Sequence, residues 1–242
     1  MKKIKARALI YFLFSSCSFI TIHAQSVEEP SPAQTKVLDK AIPIIIKVLD
    51  QFNSSDWELS SDFYNGDPLV SIHPNVPIDI DQNFEREYKA AENSERFNRL
   101  IKPMYNRINE MMQQQPIPYD SVTALGDKVK AMSNVTVYVY INRTALNIVP
   151  NAKTDLKIPG VAIAQKAPGE YFKSDKRYSY WLCFGNWQTA KAGENGFTFK
   201  FKHPNDTPFI ENIVVIFFGA DDRVQELLNK IDWKVLNDAL TF

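Results

Sequence analysis

The chain has 242 residues, 45% of them hydrophobic and 23% charged, with 28 basic side chains balanced by 28 acidic ones. That composition excludes a disordered or low-complexity chain and supports a buried core, in one domain or two small ones. Balanced charge also withholds the concentrated positive surface that nucleic acid draws.

The first residues read as an export signal. Lys2, Lys3, Lys5 and Arg7 form a basic head, residues 8–14 an apolar run continued less strictly to Ile22, and Ala24 precedes the expected cleavage point. The apolar part is too short for a membrane span, so no transmembrane segment is expected after cleavage. Residues 1–24 are therefore read as a signal peptide and 25–242 as a single α+β domain with a loose leader at 25–34. Cleavage removes four basic and no acidic residues, leaving 24 Lys plus Arg against 28 Asp plus Glu. Cys17 departs with the signal, so Cys183 stands alone and no internal disulfide is expected. The alternative to a periplasmic or secreted protein is one lipid-anchored through Cys17. Phe14-Ser15-Ser16 before it is a poor version of the small-residue box such anchors use.

In residues 35–52, Val37, Leu38, Ala41, Ile42, Ile45, Val48, Leu49 and Phe52 keep helical spacing, and Pro43 predicts a kink or a first turn. Asn65-Gly66 predicts a hairpin between 57–64 and 69–72, with Pro68 confining the second arm to an edge. Residues 82–115 read as helix. Phe97, Leu100, Ile101, Met104, Tyr105, Ile108, Met111 and Met112 hold three-four spacing straight through Pro103, predicting one kinked helix or two in tandem with a buried methionine stripe. A short helix over 120–132 follows.

The clearest strand patterns lie between 134 and 220. Val135, Val137, Val139 and Ile141 alternate with Thr136, Tyr138, Tyr140 and Asn142, the period of a half-buried strand. A further strand around 145–149 is expected to pair with it or extend it. Residues 178–187 carry large side chains on both faces, and 213–218 is an unbroken apolar run, as in a central strand. Phe197, Phe199 and Phe201 alternate with polar residues. Asn195-Gly196 tolerates tight-turn geometry, so the strand from Tyr178 is expected to pair antiparallel with that from Phe197. After Gly219, Asp221 can cap a helix with Val224, Leu227, Leu228 and Ile231 on one stripe. The expected fold is α+β: an antiparallel sheet of about four to six strands in the C-terminal half, packed against N-terminal helices and a C-terminal helix.

Catalytic motifs are missing. None of the eight glycines forms a phosphate-binding loop, and neither G-x-S-x-G nor H-E-x-x-H occurs. His73 and His203 could meet as metal ligands with Asp206, Asp79 or Asp81, but both lie in Pro-Asn loops where a solvated histidine is ordinary. Asp79 and Asp81 could share a cation, although Asp81 fits better as a cap for the helix expected from Gln82. Cys183 could be a nucleophile with His203 as base, yet its place between Leu182 and Phe184 favours burial. No cofactor or metal is implied by any of these patterns.

The aromatic group remains: Tyr178, Tyr180, Trp181 and Trp187, with Tyr138 and Tyr140. On an exposed face these side chains would bind a protein or carbohydrate partner; on a covered one they fill the core. The functional expectation is an exported, non-catalytic binding protein acting through this aromatic-rich region. The alternative is a secreted hydrolase in which Asp79 or Asp81 works with Glu170 or Glu211, because catalytic carboxylates need meet only in space.

Overall fold

The computed structural model describes residues 27–28, 31–62, 70–71, 79–80, 84–143, 145–147, 156–168, 178–189, 196–203, 208–219 and 221–241. In chain order these form β1 (Val27–Glu28), α1 (Pro32–Asp50), β2 (Trp57–Asp62), β3 (Val70–Ser71), β4 (Asp79–Ile80) and β5 (Phe84–Ala90). A π-helical turn (Phe97–Ile101) then runs into α2 (Lys102–Met112), followed by α3 (Tyr119–Ser133), β6 (Asn134–Ile141) and β7 (Ala145–Asn147). The remainder is β8 (Ile163–Pro168), β9 (Tyr178–Gly185), β10 (Trp187–Thr189), β11 (Gly196–Phe199), β12 (Asn212–Gly219), α4 (Asp221–Lys230) and a 3₁₀ helix (Trp233–Ala239).

The architecture is α+β, as expected. A six-stranded antiparallel sheet runs in the order β2-β5-β6-β12-β9-β8, and two three-stranded sheets have the orders β1-β3-β4 and β10-β11-β7. The apolar run of β12 lies at the centre, between β6 and β9, which is why it needs no polar face. Val135, Val137, Val139 and Ile141 of β6 point with Ile213, Val215 and Phe217 of β12 into the main core. Helices α1 and α4 and the 3₁₀ helix cover that face through Leu38, Ile45, Val48, Leu227 and Trp233. Phe52 stacks on Tyr88 at 5.0 Å and on Phe217 at 5.5 Å, and Trp233 meets Phe217 edge-on at 5.6 Å. Burying such rings is worth several kcal/mol in all, at about 1.5–3 kcal/mol for each large side chain. Among the described residues no helix is long and apolar enough to cross a membrane.

Local chemistry sets the helix ends. Ser31 and Gln34 form a reciprocal capping box, with Ser31 N donating to Gln34 Oε1 at 2.9 Å and Gln34 N to Ser31 Oγ at 3.4 Å. Pro43 stays inside α1 because it lies on the exposed side, where the carbonyl it deprives of a donor can turn to water. The π turn sits just ahead of Pro103 and carries the helix across the proline.

Several expectations are corrected. Residues 84–90 are strand, not helix, since Phe84, Arg86, Tyr88 and Ala90 are all buried while Glu85, Glu87 and Lys89 alternate with them. Arg86 on the core side hides the period: its side chain is only 8% exposed and pairs with Asp50 at 2.7 Å and Asp62 at 2.9 Å. A strand there also removes the helix that Asp81 was to cap. The 57–72 hairpin does not form; β2 pairs with β5, and β3 pairs with β1 and β4. The helix expected over 35–52 begins at Pro32, so the segment read as a loose leader holds β1 and the start of α1. The methionine stripe is only partly core: Met111 is buried and Met112 exposed.

The 178–187 run is two strands. Gly185 has φ 99°, and a Cβ there would lie 2.4 Å from Glu211 O, so only glycine permits the break. Strand β9 pairs with β12 and β8, and only the short β10 pairs with β11. Strand β7 joins β11 rather than β6. Asn142 separates them, in a left-handed conformation (φ 55°) with its Oδ1 accepting from Glu211 N and Asn212 N.

Candidate functional site

Alternation in a strand gives the large sheet two faces. One is sealed by helices. The other is built in rows fixed by strand register. Gln165, Trp181, Ile216, Tyr138 and Glu85 lie in one row across β8, β9, β12, β6 and β5. The next row holds Ser179, Phe218, Thr136 and Glu87, and the row on the other side holds Ile163, Cys183, Val214 and Tyr140.

Aromatic rings dominate this second face. Tyr138, Tyr140, Trp181 and Phe218 are half-buried. Tyr138 and Tyr140 stack at 6.4 Å, and Phe218 meets Tyr138 edge-on at 5.8 Å. Tyr138 donates its hydroxyl to Glu85 Oε1 at 3.1 Å; burial, then that carboxylate, pushes the phenol up to about 12. The Arg143 guanidinium lies 4.0 Å over the Tyr140 ring. Such rings are held stiffly by their strands and lose little freedom on contact with a ligand.

One part of the face is closed. Trp187 and Phe199 of the small sheet meet edge-on at 5.3 Å and join Cys183, Val214 and Ile216 in a buried cluster. Trp187 Nε1 donates to Phe184 O at 3.1 Å. Cys183 has no exposure, and burial pushes its thiol up to about 12. A thiol so placed is a core side chain, not a nucleophile.

At the β8–β9 end the polar accounting fails. Gln165 is fully buried, and neither its Nε2 nor its Oε1 has a hydrogen-bond partner. The Trp181 Nε1 beside it in register is also buried without one. Each such orphan costs about 1–3 kcal/mol.

The four aromatic residues singled out from the sequence do not share a surface. Trp181 lies on the second face, and Trp187 closes one part of it. Tyr180 points the other way and has no exposure. Its hydroxyl donates to Asp221 and accepts from Gln225 Nε2 at 2.5 Å, and burial pushes it up to about 12. Lys166 Nζ completes this cluster at 2.8 Å from Asp221. Tyr178 stands opposite Gly219 and Pro168 on β9.

The other candidates are also dispersed. Glu211 is 1% exposed and accepts from Lys202 N at 2.9 Å and His203 N at 3.0 Å, with His203 Nδ1 at 3.0 Å. His203 stacks on Phe209 at 3.7 Å. This is a tie between two loops, with both carboxylate oxygens already engaged. Asp79 lies on β4, where its backbone pairs with Ser71. Cys17, His73, Asp81, Glu170 and Asp206 fall outside the described residues. Among the described residues no three His, Cys, Asp or Glu side chains gather as metal ligands would.

Gln165, Glu85 and Phe218 were not legible as members of one face. Residues 163–168 (IAQKAP) carry too few apolar side chains to announce a strand, so only the register reveals that Gln165 shares a row with Trp181.

Comparison with protein-family models, with curated proteins and with solved structures gives no match. The face therefore has to be read from its own chemistry.

Proposed function

We propose that this is an exported, non-catalytic protein that binds a protein or carbohydrate partner through the second face of its large sheet. The observation that carries the reading is the set of half-buried rings, Tyr138, Tyr140, Trp181 and Phe218, on a face opposite the helix-covered core. Large, stiff, amphipathic side chains grouped this way favour binding. Export rests on the basic head and apolar run of the first 24 residues. A hydrolase using dispersed carboxylates draws no support from Glu211, whose oxygens are taken up by Lys202 and His203.

The test is capture from the cell's own envelope by the tagged mature protein. Trp181→Ala is the informative variant, because Trp187 is 9% exposed and serves the fold. Glu110→Ala, on the exposed side of α2, is the control. Wild type and the control are expected to retain the partner, and Trp181→Ala to lose it while keeping the wild-type circular dichroism. Equal capture by Trp181→Ala would remove the basis of the reading.

A further inference from the structure

Two carboxylates stand among the rings of the second face without a cation. Glu85 and Glu87 are half-buried on β5, opposite Tyr138 and Thr136 of β6. Glu85 Oε1 accepts from the Tyr138 hydroxyl at 3.1 Å, and Glu87 Oε1 accepts from Asn134 Nδ2. Both donors are neutral, so both negative charges remain. Lys89, the cation on the same side of β5, pairs with Glu58 at 3.2 Å, and Arg86 on the other side is held by Asp50 and Asp62. Among the described residues neither Glu85 nor Glu87 has an ion-pair partner. We infer that the second face takes a protein partner that presents arginine side chains, whose guanidinium groups lie on the rings and pair with Glu85 and Glu87. This deepens the reading of that face as the binding surface and rests on it.

Charge complementarity selects the class. Among the described residues of the three rows, the charged side chains are Glu85 and Glu87, both acidic. A neutral sugar would cover these carboxylates without neutralising them, which burial penalises. A cation offsets them, and the faces of the surrounding rings attract it as well. Arginine does both with one planar group: it stacks on aromatic rings, pairs bidentately with carboxylates and gives up water more readily than an ammonium. A metal ion needs more oxygen ligands than this pair supplies, and among the described residues no three His, Cys, Asp or Glu side chains gather.

The chain itself displays the mode of contact. The Arg143 guanidinium lies 4.0 Å over the Tyr140 ring, and Tyr140 stacks on Tyr138 at 6.4 Å. Tyr138 has Glu85 at its hydroxyl, and Phe218 shares the row of Glu87, so each carboxylate has a ring near it. Glu85 and Glu87 are two residues apart on one strand and project the same way, about 6–7 Å from each other. Alternate side chains of an extended peptide have the same spacing, so arginines two apart can reach both carboxylates.

The test is a titration of the ¹⁵N-labelled mature protein with acetyl-Gly-Arg-Gly-Arg-Gly-amide. The contrasts are the same peptide with citrulline at both arginines, which keeps the shape and removes the charge, together with maltohexaose and calcium chloride. The signals read are the backbone N–H groups of Glu85, Glu87 and Tyr138 and the Trp181 indole N–H, the last assigned through Trp181→Phe. The arginine peptide is expected to move them with a Kd of about 1 mM or tighter, and the citrulline peptide to bind about tenfold more weakly. Added salt is expected to weaken the arginine peptide. The double variant Glu85→Gln, Glu87→Gln keeps an acceptor oxygen for Tyr138 and Asn134, so it is expected to retain the wild-type circular dichroism and to bind about tenfold more weakly. Arg143→Ala removes a like charge and uncovers the Tyr140 ring, so it is expected to bind the arginine peptide more tightly. No response to the arginine peptide overturns the inference. So do equal binding of the citrulline peptide, unchanged affinity in the double variant, loss of binding in Arg143→Ala, or a response to maltohexaose or calcium alone. Envelope capture that still depends on Trp181 in those cases would keep the second face as a binding surface and dismiss only the arginine partner. Capture that is indifferent to Trp181 would dismiss the face itself.

Discussion

Tyr180 and Trp181 are neighbours in the chain and face opposite sides of the sheet. Tyr180 is sealed under the helices with its hydroxyl shared between Asp221 and Gln225, whereas Trp181 stands half-buried among the rings of the second face. One peptide bond thus separates a residue of the core from a residue of the proposed site.

Tyr180→Phe keeps the ring and removes only the shared hydroxyl. The variant is expected to lose about 1–2 kcal/mol in urea unfolding, because Asp221 and Gln225 lose a part-buried partner. An unchanged midpoint would show that water replaces that hydroxyl at no cost.

Arg86 and Asp50 form one ion pair with unequal burial, 8% against 58% side-chain exposure. Removing the buried partner should matter more than removing the solvated one. Arg86→Ala is expected to cost about 2–4 kcal/mol, since it strips a charged group that also serves Asp62 and opens space in the sheet. Asp50→Ala is expected to cost less than about 1 kcal/mol. Equal losses in urea unfolding would contradict the asymmetry.

The same residue marks the limit of legibility in the sequence. Alternation in 135–141 and 197–199 and the unbroken apolar run of 213–218 are spelled in apolar side chains, so those strands could be read directly. In 84–90 the inward position between Phe84 and Tyr88 is an arginine, and the remaining apolar pair is four apart, which is also helical spacing. The break at Gly185 depends on a close approach to Glu211 O from a distant part of the chain, which no local pattern announces. The aromatic group was visible in the sequence, but its division between two faces required the strand register.

High pH offers a test of three tyrosines together. Tyr88, Tyr138 and Tyr180 are each pushed up to about 12, in every case first by burial. An unfolded tyrosine titrates near 10, so the folded state holds these protons more tightly. Their contribution to stability is present below pH about 10 and is lost as pH rises toward about 12. The urea midpoint is expected to fall across that window, and restoring the pH should restore it. Tyr138→Phe should make the fall shallower. A flat profile through the window would contradict the burial of these hydroxyls.

The proposed export makes a prediction of mass. The protein recovered from the envelope is expected to begin at Gln25 by intact-mass measurement. A lipid-modified first residue at Cys17 would replace free export with anchoring, and a chain retaining Met1 would contradict export.

The proposed partner meets the second face of the sheet. Hydroxyl-radical footprinting tests it most directly, with and without envelope extract on the mature protein. The internal controls are Tyr105 and Tyr119, 46% and 66% exposed on α2 and α3. Extract is expected to protect Tyr138, Tyr140 and Trp181 and to leave both control tyrosines as reactive as before. Protection of Tyr105 or Tyr119 with the second face unchanged would contradict it.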